Sequence, residues 1–308
     1  MRILIALGGN ALLERGQTLS AAAQQANAAA AAVVLAREIL AGHQLIVTHG
    51  NGPQVGLLAL QSAAGPGAAA MPLDVLGAES EGWIGYSLEL ALRNALPEGA
   101  RLVTLLTQTL VGVDDVAFQN PSKPIGPVYD EAMARRLAAL HQWTIKPDGG
   151  YWRRVVASPA PITVLESEAI GVLVEGGFTV ICGGGGGIPV IRRDGKLAGI
   201  EAVIDKDATS ALLAEGLGAE LFVMLTDVDG VYLDFATPKS RMITRSGPAE
   251  MRRHHAAFAA GSMGPKTDAA CCFVEATGKR SVIGAMAALH ELIAGTAGTA
   301  VSLHLPGV

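Results

Sequence analysis

Three glycine-rich loops, each placed directly after a short apolar run, constrain this chain more than any other feature. Gly8-Gly9-Asn10 follows a run over 2–7. His49-Gly50-Asn51-Gly52-Pro53 follows Leu45-Ile46-Val47-Thr48. Five consecutive glycines, 183–187, follow a run over 178–182. Short apolar runs that end in glycine read as buried strands entering tight loops. Helical segments separate them, so the chain alternates strand and helix. That pattern predicts an α/β protein with an open, mostly parallel sheet sandwiched between helix layers.

The elements follow from the residues. An Ala-rich helix spans about 20–41, with Ser20 as its N-cap and Gly42 as its stop. A helix begins after Pro53, another covers 74–96, and 102–111 reads as one strand. From about 114 to 160 the character changes: prolines recur, and Trp143 and Trp152 mix with Arg135, Arg136, Lys146, Arg153 and Arg154. This stretch reads as a small protruding subdomain within a single domain of 308 residues. Alternation resumes with a helix 166–176, a strand 178–182, a strand pair over 189–204, a helix from 207 and a strand 221–225. A helix 266–277, a strand 280–283, a helix 286–294 and a strand 299–304 complete it.

Several functions are excluded. Ala28 to Ala36 is the longest plain apolar stretch and stops at Arg37, too short for a membrane span of about 20 residues. A net charge of −5 argues against nucleic acid as a partner. Three cysteines do not make a disulfide framework, and the start of the chain reads as a strand rather than a signal segment; a cytoplasmic setting is expected. No nucleophile elbow, zinc-protease motif or zinc spacing is present.

In sheets of this kind ligands bind beyond the carboxyl ends of the strands, so the three loops are where chemistry is expected. Gly8, Gly9, Asn10, Gly50, Asn51, Gly52, Gly184, Gly185 and Gly186 are therefore candidate anion-binding residues, through close backbone approach and N–H donors. They match neither a Walker A loop nor a dinucleotide fingerprint. Lys206, in Asp205-Lys206-Asp207 at a helix start, opposes the helix dipole and so points to a bound anion. Lys266, after Gly264-Pro265, is placed in the same way. Lys123 taken alone is a loop lysine. Thr226-Asp227-Val228-Asp229-Gly230-Val231-Tyr232 reads as a turn at a strand end that could hold a nucleotide. His49 is equally a ligand contact or a satisfied buried histidine.

Read together, Ala6 to Ala11, His49 to Gly56 (HGNGPQVG), Lys123 to Pro127, the glycine run through Val190, Glu201 to Asp207 (EAVIDKD) and Gly261 to Lys266 resemble the carbamate kinases within the amino acid kinase family. The resemblance runs in order from residue 3 to the end. It implies interconversion of carbamoyl phosphate plus ADP with carbamate plus ATP, with Mg²⁺ as cofactor and ATP formation as the usual direction. It implies a homodimer, a carbamoyl phosphate site in the N-terminal part and a nucleotide site within about 200–308. By the same resemblance Lys123, Lys206 and Lys266 handle the transferred group, Asp207 orients lysines, Asp205 helps hold the metal, and Thr226, Asp227, Asp229, Tyr232 and Met263 contact the nucleotide.

Overall fold

The computed structural model describes residues 1–9, 13, 17, 20–64, 70–259 and 261–303; Asn10 lies outside the described residues. In chain order, β1 (Arg2–Leu7) leads to α1 (Ala21–Leu40), β2 (Gln44–His49), α2 (Gly52–Ala64), α3 (Leu73–Ala95), β3 (Leu102–Thr104) and β4 (Gln108–Val111). There follow β5 (Lys123–Tyr129), α4 (Glu131–His141), β6 (Thr144–Asp148), β7 (Tyr151–Val156), β8 (Pro161–Val164) and α5 (Ser167–Glu175). Next come β9 (Thr179–Ile181), β10 (Ile188–Arg193), β11 (Lys196–Gly199), α6 (Lys206–Gly216), β12 (Leu221–Thr226), β13 (Val231–Leu233), β14 (Arg241–Ile243) and β15 (Arg245–Ser246). The chain closes with α7 (Pro248–Arg253), α8 (Met263–Thr277), β16 (Arg280–Ala285), α9 (Leu289–Ala294) and β17 (Thr299–Val301).

The main sheet has the order β15-β17-β16-β12-β1-β2-β9-β3. Its neighbours pair in parallel except β16 with β17. Successive side chains of a strand point to opposite faces, so β1 feeds two cores at once. Ile3, Ile5 and Leu7 face α1, α3 and α9 through residues such as Leu35, Ile84, Leu88 and Leu292. Leu4 and Ala6 face the other layer, where Leu213, Phe273 and Val274 of α6 and α8 pack. On α1 the buried residues Ala28, Ala31, Ala32, Leu35 and Ala36 recur at helical spacing and form one stripe. Ser20 caps that helix by accepting the Ala23 N–H at 3.2 Å.

Three departures from the sequence reading are local. The segment 102–111 is two strands in two sheets: β3 pairs with β9 in the main sheet, and β4 pairs with β10 and β8 in a four-stranded one. The chain turns between them because the Thr107 N–H and hydroxyl are taken by the Glu81 carboxylate instead of a strand neighbour. Helix α8 starts at Met263, three residues before Lys266, and the last helix starts at Leu289. The final strand ends at Val301 rather than 304.

Residues 123–156 build a three-stranded antiparallel sheet in the order β5-β7-β6, with α4 against it. The mixture of basic and aromatic residues there packs on itself: the Arg135 guanidinium sits 5.3 Å from the Trp152 ring and that of Arg154 4.8 Å from Trp143. This lobe meets the body where α2 approaches β5. A side chain at Gly56 would come within 2.6 Å of the Gly126 nitrogen, so the two backbones touch.

Candidate active site

The carboxyl ends of β1, β2, β9 and β12 lie side by side in the sheet, and the loops that leave them converge. Glycine is required there for closeness. A Cβ at Gly8 would lie 2.7 Å from the Leu225 carbonyl oxygen at the end of β12. One at Gly50 would lie 3.2 Å from the Gly9 nitrogen and 3.6 Å from Cε of Lys206. The first two loops and a lysine therefore share one small volume.

Asp205 starts α6. Its Oδ1 accepts the N–H groups of Asp207 and Ala208, capping the helix, and its Oδ2 accepts the Lys123 ammonium at 2.6 Å. The next two residues form the other half of the arrangement. Asp207 Oδ1 takes the Lys206 ammonium at 2.5 Å, and Oδ2 takes that of Lys266 at 2.9 Å. Two aspartates that flank Lys206 at one helix start thus hold three lysines brought from β5, α6 and α8. Thr48, at the end of β2, ties the same turn down: its hydroxyl lies 2.6 Å from that of Ser210, which donates to the Lys206 carbonyl.

The electrostatics follow from burial. Asp207 is 4% exposed and Lys266 8%. Burial opposes the Asp207 charge, but Lys206 and Lys266 outweigh it and hold the carboxyl well below the usual carboxylate range. Burial draws the Lys206 ammonium below its ordinary value, and the nearby Lys266 charge adds to that despite the help of Asp207. Lys266 moves the other way: burial opposes its charge, but Asp207, with Asp205 and Asp227 behind it, raises it. His49 is fully buried, with Nδ1 3.1 Å from the Gly50 carbonyl oxygen. Burial, with Lys206 adding to it, lowers its pKa to about 4, so the ring is neutral near pH 7.

The glycine run 183–187 is used differently from the sequence expectation. Gly183, Gly185, Gly186 and Gly187 all have positive φ, between 60° and 96°, which is why side chains are excluded. Four of its five N–H groups are engaged within the protein: Gly183 donates to Thr107 Oγ1, Gly184 to Glu81, Gly186 to the Gly183 carbonyl and Gly187 to that of Gly184. The Gly8 and Gly50 N–H groups are likewise taken, by the carbonyls of Leu225 and Leu7. Gly8, Gly50, Gly184 and Gly186 thus bring elements together and are not the N–H rim that the loops suggested. Asn51 is buried and donates through Nδ2 to Ser80 Oγ at 2.9 Å; Gly52 begins α2.

Asp205, the residue expected to help hold a metal, is engaged within the protein. Both its oxygens are already committed, to the α6 cap and to Lys123. Among the described residues no group of three His, Cys, Asp or Glu side chains is placed to hold a metal ion.

Residues 1–285 match the model of the amino acid kinase family. The chain belongs to the amino acid kinase family. Its relatives in that family include the carbamate kinase of Rhizobium meliloti, 49% identical over 98% of this chain and 93% of that one. The carbamate kinase of Haemophilus influenzae is 47% identical, over 100% of this chain and 99% of that one. Among solved structures, carbamate kinase from Giardia lamblia bound to AMP-PNP superposes with a TM-score of 0.89 at 39% identity, over 98% of both chains.

In this amino acid kinase the segment expected to meet the nucleotide lies beside the lysines. Thr226 ends β12 and its hydroxyl donates to Asp227, whose charge reaches Lys266. Tyr232 donates to Asp229 Oδ1 at 2.7 Å. Met263 opens α8 and packs against the core.

Sequence reasoning missed Ser80, Glu81 and Thr107. Glu81 is 1% exposed and accepts from Thr107 N–H, Thr107 Oγ1 and Gly184 N–H at 3.1, 2.6 and 2.8 Å. The available signal was a carboxylate inside the apolar stripe of Leu73, Leu76, Ile84 and Leu88 on α3.

Proposed function

We propose that the protein is a carbamate kinase, transferring a phosphoryl group between carbamoyl phosphate and ADP to give carbamate and ATP. The observation that carries this reading is the pair Asp205 and Asp207 holding Lys123, Lys206 and Lys266 beside the Gly8-Gly9 and His49 to Asn51 loops. Both substrates are anions and repel each other. Two unit charges 4 Å apart interact by about 4 kcal/mol at an effective dielectric near 20, and each lysine offsets a term of that size. Phosphoryl transfer needs positioning and charge neutralisation, and the attacking oxygen of ADP or carbamate is already ionised, so no general base is required. The neutral, buried His49 accords with that.

In this mechanism Lys206 and Lys266 lie on the moving phosphoryl group, and Asp207 fixes their separation. Lys123, on the lobe over 114–160, reaches in to the carbamoyl phosphate. Gly9, Asn10 and Asn51 border the carbamoyl phosphate end, within the N-terminal part. Thr226, Asp227, Asp229, Tyr232 and Met263, within the part from about 200, border the nucleotide. Asp205 is the side chain that would help hold Mg²⁺ beside the nucleotide phosphates, and the ion would supply further neutralisation of their charge.

The working direction is ATP formation in the cytoplasm. In support, Cys182, Cys271 and Cys272 are free thiols, and no helix among the described residues is long and apolar enough to cross a membrane. The active form is a homodimer, supported by α3, which exposes Val75, Tyr86 and Leu90 on one helical face.

The test is ATP formation from ADP, Mg²⁺ and carbamoyl phosphate by purified protein, with Lys206→Ala as control. Turnover that falls roughly 10²–10³-fold in the variant is expected, the loss typical of one preorganised charge or donor. No ATP above background from the wild-type protein would discard the reading.

A further inference from the structure

Two consecutive residues of α3 hold two different loops of the site. Ser80 is fully buried; its hydroxyl accepts from Asn51 Nδ2, in the loop after β2, and donates to the Gly77 carbonyl at 2.8 Å. Glu81 accepts from Gly184, in the run after β9, and from Thr107, whose hydroxyl oxygen also accepts the Gly183 N–H at 2.7 Å. The run is in turn bonded to the lysine-bearing helix. The Gly186 carbonyl accepts from Thr209 of α6 and from Thr109, each at 2.9 Å. A Cβ at Gly186 would lie 2.7 Å from the Ile204 carbonyl oxygen, just before Asp205. Hydrogen bonds thus link Glu81 through Thr107, Gly183 and Gly186 to Thr209 in the first turn of α6, where Lys206 and Asp207 stand.

Glu81 has no ion-pair partner among the described residues. A buried carboxylate without a cation is retained here against the cost of desolvation. Its three partners are donors or act as donors towards it, and one neutral amide cannot accept all three with both terminal atoms. The requirement for an ionised acceptor is therefore local and specific to the loop.

We propose that Glu81, with Ser80 beside it, is a positioning residue for phosphoryl transfer: its ionised carboxylate sets the 183–187 run and, through Gly186 and Thr209, the placement of Lys206 and Asp207. This rests on the carbamate kinase reading. Burial pushes the Glu81 carboxyl up to about 7, with the Glu166 charge adding a little. The other titratable groups facing this pocket are the His49 ring, which borders the same Gly184, and the Cys182 thiol; near pH 7 burial keeps His49 neutral and Cys182 protonated. Glu81 is then the group of this pocket that changes charge near pH 7. Its protonation places a proton on an oxygen that faces donors and changes how the run is hydrogen-bonded, without unfolding it.

The experiment measures kcat and KM for carbamoyl phosphate and for ADP from pH 5.5 to 9, for wild type, Glu81→Gln, Thr107→Val and Ser80→Ala. Wild type is expected to show kcat falling on the acid side with an apparent pKa near 7. Glu81→Gln is expected to lose roughly 10–100-fold in kcat at pH 8, the effect of misplacing reacting groups by about an ångström, and to lose that acid limb. Thr107→Val, which keeps the carboxylate but cuts its link to Gly183, lowers kcat while KM for ADP changes little. Ser80→Ala raises KM for carbamoyl phosphate and keeps the limb. Wild-type kcat in both Glu81→Gln and Thr107→Val overturns the proposal, as does a wild-type profile flat between pH 5.5 and 8 if Glu81→Gln does not fold. Absence of wild-type ATP formation overturns the reaction itself, which an unaffected variant in an active enzyme does not.

Discussion

Asp207 Oδ2 accepts the Lys266 ammonium at 2.9 Å across 59 residues of chain, while its other oxygen holds Lys206 at 2.5 Å. One carboxylate therefore sets the distance between two lysines that would repel each other if left alone. Removing it strands two buried ammonium groups. Breaking a buried pair by deleting one partner costs about 3–5 kcal/mol. Asp207→Ala is expected to lose that much stability at pH 7 in urea unfolding, and to lose turnover at least as severely as Lys206→Ala. Wild-type stability with lost turnover would mean that Asp207 serves the reaction but not the assembly of the lysines.

Lys123 should behave differently. It and Asp205 are about one-quarter exposed, at 29% and 21%. An ion pair this open to water contributes about 0–1 kcal/mol. Lys123→Ala is therefore expected to leave unfolding within about 1 kcal/mol of wild type. Its effect belongs to substrate: KM for carbamoyl phosphate rises roughly tenfold, the equivalent of about 1.4 kcal/mol, while KM for ADP holds. Equal weakening of both substrates would place Lys123 between them rather than on the carbamoyl phosphate side.

Much of this was legible in the sequence because periodicity and loop position are local signals. The strand and helix runs, Ser20 as a cap, and Lys206 against a helix dipole all follow from neighbours in the chain. What was not legible depends on residues far apart in sequence. The break at Leu105 to Thr107 is caused by Glu81, 26 residues earlier. The loops looked like N–H donors to a ligand, yet Gly184 donates to a residue 103 positions away. The pairing of Asp205 with Lys123 spans 82 residues and left no local signal.

Gly184 gives a direct check on how tightly these loops fit. A Cβ there would lie 2.6 Å from His49 Nε2 and 2.8 Å from Glu81 Cγ, and neither fully buried side chain has room to retreat. Overpacking of this kind costs about 1–3 kcal/mol. Gly184→Ala is expected to fall in that range by thermal or urea unfolding and to lose activity, whereas Gly216→Ala, where nothing lies within 4 Å, loses neither. A stable, fully active Gly184→Ala protein would mean that the run has slack.

Stability against pH separates the two buried titratable groups that border Gly184. The Glu81 carboxyl is raised from 4.5 to about 7, so folding favours its protonated form. Its contribution is complete below pH 4.5 and is lost as pH rises towards 7, about 3 kcal/mol in all at 1.36 kcal/mol per unit. His49 has the opposite sign. Its pKa falls from 6.5 to about 4, so its contribution is complete above pH 6.5 and is lost as pH falls towards 4, again about 3 kcal/mol. The two slopes nearly cancel in the wild-type protein across this window. Removing one exposes the other: unfolding free energy in Glu81→Gln should climb between pH 4 and 6.5, and in His49→Asn it should drop between pH 4.5 and 7. Urea unfolding of the three proteins at half-unit pH intervals reads both slopes. Parallel curves for all three would show that neither group is buried in the charge state that its surroundings favour.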